Sequence, residues 1–313
     1  MPNDAGFDEF FGFLDQTHAH NSFPEHLWQN KNEYLIQDNW FGRRKVFAPD
    51  LFTARTLDFL SGAGNQPFFV ELSYTVPHAD NERARIDPVG IDVPDFGPYA
   101  GESWPDVEKA FAASITRMDA DIGRILALLK EKGLDDNTLI LFTSDNGPHK
   151  EGNHSPDFFS SRGPLRGLKR DLYEGGIRVP TLARWPAKIR KPAVSDVPWA
   201  FWDFLPTAAE LAGLKAPGGL DGVSIVPALV AGSTIPRDYF YWEFHEGGFQ
   251  QAVRQGDWKL VRQAPGFGLE LFHLSDDIGE RGNLASAEPA RVKTMSELFR
   301  TARTEHPLYP AGA

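Results

Sequence analysis

The sequence predicts an α/β fold in which helices flank a mainly parallel central sheet, with a small C-terminal antiparallel sheet plus helix. Two short apolar segments, 66–74 and 138–143, follow turn residues and are typical of covered strands. A long helical pattern separates them, and strand–helix–strand order favours parallel pairing. Beyond residue 237 the apolar segments shorten and alternate with turns, which indicates an antiparallel meander.

Each predicted element rests on a local pattern. Over 104–132 the apolar residues recur at helical spacing, and Gly133 is a natural C-terminal cap. A Gly- and Pro-rich linker over 214–236 separates the predicted catalytic α/β domain, 1–236, from a small α+β subdomain, 237–313. The other predicted elements are the strands 177–185, 239–244, 251–254, 258–262 and 269–274 and the helices 200–212 and 289–303.

Composition narrows the possible functions. The 313 residues are 41% apolar and 24% charged, which is ordinary for a globular protein with a sizeable core. The net charge of −11 is spread along the chain and argues against nucleic acid or anionic membranes as partners. The absence of cysteine excludes disulfides, zinc–thiolate sites and cysteine nucleophiles.

The sequence leaves the localisation of the protein open. No segment approaches the roughly 18 to 20 apolar residues that span a bilayer. The first residues have neither the basic start nor the apolar run of a signal peptide. A periplasmic or extracellular location would therefore require a signal peptide upstream of this sequence.

Asp145, Asn146 and Gly147 directly follow the second predicted strand. In α/β sheets, ligands bind outside the carboxyl ends of the strands. A carboxylate and an amide oxygen at such a place suit a hard cation such as Ca²⁺ or Mg²⁺. The same tripeptide is also ideal for a plain turn, and the three residues alone favour the turn.

Two further positions could carry chemistry. His78 follows the first predicted strand, although a lone histidine is more often structural than catalytic. Lys169 lies among three cations in five residues, between glycines that permit tight turns. This segment is either a solvated basic loop or an oxyanion site in which Lys169 places a point charge on a sulfuryl or phosphoryl group.

Six motifs follow one another along the chain in a characteristic order. They are 6–13 (GFDEFFGF), Pro77-His78, 143–147 (TSDNG), 167–169 (GLK) with 174–180 (EGGIRVP), 251–260 (QAVRQGDWKL) and 270–274 (ELFHL). In this order they resemble the motifs of the formylglycine-dependent sulfatases, which belong to the alkaline-phosphatase-like superfamily. The similarity covers nearly the whole chain, and the C-terminal motifs resemble that family's small C-terminal subdomain.

The resemblance implies roles for several residues. Asp145 and Asn146 match two of the family's four side-chain ligands for Ca²⁺ or Mg²⁺, so the metal site within this chain is incomplete. His78 matches a histidine on the sulfate group, and Lys169 matches a lysine that bridges sulfate and nucleophile. Together these matches imply hydrolysis of sulfate esters, with a sulfated small molecule or carbohydrate as substrate.

Three other histidines fall near the expected sulfate site. His18 and His20 lie where the family places another polar sulfate contact, and the register between them stays open. His149, just past the metal pair, is a candidate substrate contact. The aromatic segment 241–246 suits either a carbohydrate-lined mouth or packing of the small sheet.

One departure from the family limits the predicted activity. The family forms its nucleophile from a Cys or Ser followed by Pro and Arg two and four residues later, and no such pattern occurs here. The chain therefore resembles a sulfatase from which the N-terminal segment with this motif is missing, and we expect it to be inactive alone. The alternatives are a phosphoester or phosphonate hydrolase of the same superfamily and a non-catalytic module that binds sulfated glycans.

Overall fold

The computed structural model describes residues 1–64, 66–189 and 193–311. The chain divides into two compact units, which do not coincide with the expected domains 1–236 and 237–313, and that boundary stays a prediction. The first unit comprises Met1–Asp135 and His149–Ser161, and the second comprises Asp136–Pro148 and Arg162–Ala313.

The first unit contains a three-stranded antiparallel sheet in the order β1-β2-β3 beside two long helices. Its strands are β1 (Phe11–Gly12), β2 (His26–Gln29) and β3 (Asn32–Leu35), and its helices are α1 (Gln16–His20), α2 (Ala48–Gly62) and α3 (Asp106–Glu131). Short 3₁₀ turns occupy Pro2–Ala5, Gln37–Gly42, Arg83–Arg85 and Gly97–Tyr99.

The helix predicted over 104–132 is confirmed as α3. Its buried residues include Val107, Ala110 and Leu129. Gly133 follows with φ of 69°, a left-handed conformation that glycine adopts without steric cost. The sequence therefore located this helix and its end, but its buried face only in part. The apolar spacing places Ile115, Met118, Ile122, Ile125, Leu126 and Leu129 on one face, and of these six Leu129 is buried while Ile115 is exposed.

The second unit contains two antiparallel sheets. Strands β4 (Ile140–Thr143) and β5 (Thr181–Arg184) form one, and the four C-terminal strands form the other. The remaining elements are the helices α4 (Glu174–Ile177), α5 (Phe204–Leu211), α6 (Val226–Ala231) and α7 (Pro289–Thr301), the strands β6 (Phe240–Phe244), β7 (Gln250–Gln255), β8 (Trp258–Arg262) and β9 (Glu270–His273), and 3₁₀ turns at Asp135–Asn137 and Phe201–Asp203.

The small C-terminal antiparallel sheet and its helix are confirmed. Strands β6 to β9 pair in sequence order, each antiparallel to the next. Met295 and Phe299 of α7 pack on Val253, Leu260 and Leu271 from the sheet. This burial of one helix face on one sheet face is the layered arrangement that the alternating pattern predicts.

The aromatic segment 241–246 belongs to the core of this region. Trp242 and Phe244 pack against a buried cluster that includes Ala252 and Phe272. The Tyr241 hydroxyl donates a hydrogen bond of 2.6 Å to Glu243. Packing of the small sheet therefore accounts for these aromatic residues.

The α/β class is confirmed, but the expected parallel pairing is wrong for the strands that the structure describes. Residues 66–74 form no hydrogen-bonded strand, and β4 pairs antiparallel with β5. The first segment still has an apolar side, because Leu72 and Tyr74 pack on the core around α2. A local pattern reports such an apolar side, whereas the choice of hydrogen-bonded neighbour depends on distant residues.

Within the described part of the chain, no helix is both long and apolar enough to cross a membrane.

Candidate functional site

Two histidines of the first unit form a stacked pair. His20 ends α1, and its ring lies 4.9 Å from that of His78 with an interplanar angle of 9°. His20 Nδ1 donates to Glu82 Oε2 at 2.8 Å, and this hydrogen bond holds the pKa of the Glu82 carboxyl below its usual value. His78 Nδ1 donates to the Ala79 carbonyl at 2.8 Å, and its Nε2 lies 3.4 Å from Glu151 Oε2.

These contacts orient the two rings differently. Because the Ala79 carbonyl occupies Nδ1 of His78, the Nε2 side of that ring faces the Glu151 carboxylate. The side chain of His78 is 30% exposed, against 14% for His20. His78 is therefore the more accessible of the pair.

His149 is held by backbone groups at both ring nitrogens. The Glu151 N–H donates to Nδ1 at 3.1 Å, so the proton lies on Nε2, which donates to the Pro77 carbonyl at 3.1 Å. Burial lowers the pKa of His149 to about 4. The ring is therefore neutral at pH 7, and it connects the backbone before His78 to the segment that carries Glu151.

His18 faces a different neighbourhood from His20. Its ring lies 4.5 Å from that of His26 and packs edge-on against Phe13. Burial lowers the pKa of His18, and the nearby His26 lowers it further. The helical turn of α1 thus directs only His20, of these two residues, to His78.

In the second unit, Asp145 and Asn146 lie in the turn that follows β4. The Ser144 hydroxyl donates to the Asn146 carbonyl at 3.0 Å. Asn146 Nδ2 donates to the Gly147 carbonyl at 2.9 Å. The residues thus form the tight turn that their identities predict, while the Asp145 side chain is exposed.

Glycines bring the Lys169 segment against this turn. The Gly147 N–H donates to the Gly176 carbonyl at 2.9 Å, and the Lys169 N–H donates to the Pro148 carbonyl at 2.9 Å. A Cβ at Gly147 would lie 1.8 Å from the Gly175 carbonyl oxygen, closer than any side chain permits. The glycines of both motifs therefore allow backbone to pack on backbone beside Asn146.

The donors in this turn fit part of a hard-cation site. The Asn146 amide nitrogen is engaged by the Gly147 carbonyl, which leaves its Oδ1 as an oxygen donor next to the Asp145 carboxylate. These oxygens suit Ca²⁺ or Mg²⁺, but Ca²⁺ takes about 6 to 8 of them. Among the residues that the structure describes, no group of three or more His, Asp or Glu side chains could hold a metal.

The structure thus brings the predicted residues together in two sets. Asp145, Asn146 and Lys169 belong to the second unit, and His20, His78 and His149 belong to the first. The expectation that Asp145 and His78 share one sheet edge is wrong for the described residues, because residues 66–74 before His78 form no hydrogen-bonded strand.

Sequence reasoning missed Glu82 and Glu151, the acidic partners of His20 and His78. Glu82 is 62 positions from His20, and no spacing rule connects residues so far apart. Glu151 lies two residues after His149, in a polar stretch that gives no sign of a catalytic neighbour. The only available signal was the polar loop that follows Pro77-His78.

Two family models match the chain. The sulfatase model matches residues 1–214, and the model of the C-terminal region of N-sulphoglucosamine sulphohydrolase matches residues 168–304. Both describe sulfatases, in agreement with the resemblance of the motifs, and they support a sulfatase more strongly than the phosphoester or phosphonate hydrolase alternative. Sulfatases generally bind a divalent metal.

Comparison with individual proteins agrees with the two family models. The chain is 28% identical to the uncharacterized sulfatase YdeN of Escherichia coli over 96% of its own length and 56% of that protein. It is 30% identical to N-acetylgalactosamine-6-sulfatase of Canis lupus familiaris over 95% of its length and 61% of that enzyme. The crystal structure of Ps i-CgsB in complex with k-i-k-neocarrahexaose matches with a TM-score of 0.79 and 26% identity, over 96% of this chain and 67% of that one.

The chain belongs to the sulfatase family. It spans little more than half the length of the two curated relatives described above. The family therefore defines the fold of this chain.

Proposed function

We propose that this chain binds the sulfate group of a sulfate ester and contributes to its hydrolysis, with His78 and Lys169 as the catalytic residues. The observation that carries this proposal is the stacked His20–His78 pair in a chain that matches the sulfatase model over residues 1–214. His78 directs its Nε2 towards the Glu151 carboxylate, and the Lys169 ammonium supplies a positive charge. Either one stands as the proton donor to the leaving alcohol.

Of the remaining predicted contacts, the geometry favours His20 over His18 on the sulfate. His20 is in contact with His78, whereas His18 packs on Phe13 and His26. We assign His149 a positioning role, because a direct substrate contact would require one of its two backbone hydrogen bonds to break.

Asp145 and Asn146 would hold a divalent cation, Ca²⁺ or Mg²⁺, through the carboxylate and the amide oxygen. When bound, such a cation offsets the charge of the sulfate group. The residues of this chain that act on the same charge are Lys169 and His78. With only two protein oxygens against the roughly 6 to 8 that Ca²⁺ takes, we expect weak binding of the ion to this chain.

The proposed substrate is a sulfated carbohydrate. Support comes from N-acetylgalactosamine-6-sulfatase, whose name specifies a sulfated sugar, and from Ps i-CgsB, which is complexed with a hexaose. The segment 241–246 does not enter this proposal, because its aromatic rings pack in the core of the small sheet.

The first experiment is calorimetric titration with inorganic sulfate. We expect Lys169→Ala and His78→Ala each to weaken binding at least about tenfold, since a charge-assisted hydrogen bond contributes roughly 1.5 to 3 kcal/mol. Lys188→Ala is the matched control, because it removes an exposed lysine of the same unit. Equal affinity in all three variants would contradict the assignment.

The second experiment measures turnover of an aryl sulfate. These 313 residues contain no cysteine and no Ser-x-Pro-x-Arg pattern, so we expect no turnover. A version extended upstream with the nucleophile motif, matured by its modifying enzyme, should hydrolyse the ester. Sulfate binding without turnover in the extended form would favour a non-catalytic sulfated-glycan-binding module. Robust turnover in the 313-residue chain, abolished by Lys169→Ala, would reveal another nucleophile.

A further inference from the structure

A buried ion network lies beneath the segment that carries Lys169. Lys259 of β8 places its Nζ 2.9 Å from Glu174 Oε1 and 3.0 Å from Glu280 Oε1. The side chains of Lys259 and Glu280 are fully buried, and that of Glu174 is 3% exposed. All three belong to the second unit, and none was assigned a role from the sequence.

Stability alone does not explain such a network. Removing charges from water costs several kcal/mol per ion, and well-packed apolar replacements of buried ion pairs are often neutral or stabilising. Burial raises the pKa of Glu280, while the Lys259 ammonium opposes that rise. We therefore attribute the network to the backbone geometry of the neighbouring segment, which it holds in place.

That geometry concerns the lysine loop, defined here as residues 166–174, because both of its ends are held at Glu280. At the C-terminal end, the Glu174 N–H donates to Glu280 Oε2 at 2.6 Å. At the N-terminal end, Arg166 Nη1 donates to the Glu280 carbonyl at 2.9 Å, with the guanidinium 3.8 Å from the centre of the Tyr173 ring. One residue thus fixes the span of a loop whose middle carries Lys169.

Glu280 itself has a backbone conformation that side chains rarely adopt. Its φ is 50°, in the left-handed region that favours glycine. Such a conformation costs of order 1 kcal/mol or more in a residue other than glycine, and it persists only where its surroundings require it. A glycine here would relieve the backbone but would lose the carboxylate that meets Glu174 and Lys259.

We propose that Glu280, held by Lys259, is a positioning residue that sets the span of the lysine loop and thereby the position of Lys169 on the sulfate group. The carboxylate of Glu280 fixes the start of α4, from which the Gly176 carbonyl receives the Gly147 N–H. Its carbonyl fixes Arg166, whose own carbonyl receives the Gly175 N–H at 2.6 Å. The part that concerns sulfate rests on the proposed function, whereas the fixed span of the loop does not.

The test compares Glu280→Gly, Glu280→Gln and Lys259→Met with the control Glu210→Gln, which neutralises an exposed glutamate of the same unit. Amide hydrogen exchange is measured at Lys169, whose N–H donates to the Pro148 carbonyl, and at Gly175, whose N–H donates to the Arg166 carbonyl. It is also measured at the amides that pair strands β7 and β8. Sulfate affinity is measured by calorimetry. Together these readouts separate a local loosening of the loop from a general loss of stability.

We expect Glu280→Gly and Lys259→Met to speed exchange at Lys169 and Gly175 about tenfold more than in the β7–β8 ladder, and to weaken sulfate binding about tenfold. Glu280→Gln should have a smaller effect, because its amide oxygen still accepts from Glu174. If Glu280→Gly does not fold, the same exchange rates and sulfate affinities are compared between Glu280→Gln and Glu210→Gln. Faster exchange in the loop of Glu280→Gln alone would support the proposal.

Exchange that rises equally in the loop and in the ladder would mean that Glu280 only stabilises the fold, and would overturn the proposal. A sulfate affinity that does not respond to Lys169→Ala would refute the proposed function instead. In that case the exchange pattern would still decide whether Glu280 fixes the loop.

Discussion

The histidine site of the first unit and the lysine loop of the second are built in different ways. His20 and His78 are held by side-chain contacts, namely ring stacking and acidic partners. The lysine loop is held by backbone contacts that only glycines allow, and by Glu280. Side-chain contacts can be removed one at a time, whereas backbone packing tolerates no added atom. The two sites should therefore respond to mutation with very different magnitudes.

The largest expected effect is that of Gly147→Ala in the second unit. The new Cβ would lie 1.8 Å from the Gly175 carbonyl oxygen, and backbone on both sides leaves no side chain to move aside. We expect a loss of about 3 kcal/mol or more in the free energy of unfolding, measured by denaturant titration. Gly268→Ala is the control, because a Cβ there meets nothing within 4 Å. Equal losses of unfolding free energy in Gly147→Ala and Gly268→Ala would show that close backbone packing at Gly147 does not set this site apart.

A second effect concerns pH and His149. Its pKa is lowered from 6.5 to about 4 in the folded protein, so the neutral form is favoured there. As pH falls below 6.5 the unfolded chain takes up the proton first, and the stability that is present above this pH is lost towards pH 4. We expect a loss of about 2 kcal/mol between pH 7 and pH 5.

His149→Gln isolates this contribution, because an amide can still donate to the Pro77 carbonyl but does not titrate over this range. Unfolding curves of both proteins should converge as the pH falls. A constant difference between them from pH 7 to pH 5 would show that His149 is not the titrating group.

A smaller effect distinguishes His20 from His18. Because His20 is stacked on His78, we expect His20→Ala to weaken sulfate binding about fivefold, which corresponds to about 1 kcal/mol. His18→Ala, on the same short helix, should change sulfate affinity less than about twofold. The reverse order in calorimetric titration would assign the sulfate contact to His18 and break the link between ring stacking and function.

The smallest effect is that of calcium on the 313-residue chain. With two protein oxygens and a dissociation constant of about 1 mM or weaker, 1 mM Ca²⁺ should raise the midpoint of thermal unfolding by only about 1 °C. Asp145→Asn should abolish even this rise. Tight stoichiometric binding would show that additional ligands come from elsewhere in the chain.

The sequence alone determined those features that depend on residues close together in the chain. The spacing of apolar residues located α3, and Gly133 marked its end. Asp145-Asn146-Gly147 defined a turn, and short apolar segments defined the C-terminal meander. Helical periodicity, alternation and glycine conformations act over a few residues, which is why they can be recognised without a structure.

The tertiary structure decided what depends on residues far apart in the sequence. It paired β4 with β5 in antiparallel fashion, stacked His20 rather than His18 on His78, and engaged both nitrogens of His149. It also placed Glu280 at both ends of the lysine loop, 106 and 114 positions from its partners Glu174 and Arg166. Such contacts arise when distant segments exclude water between them, and no local pattern encodes which segments those are.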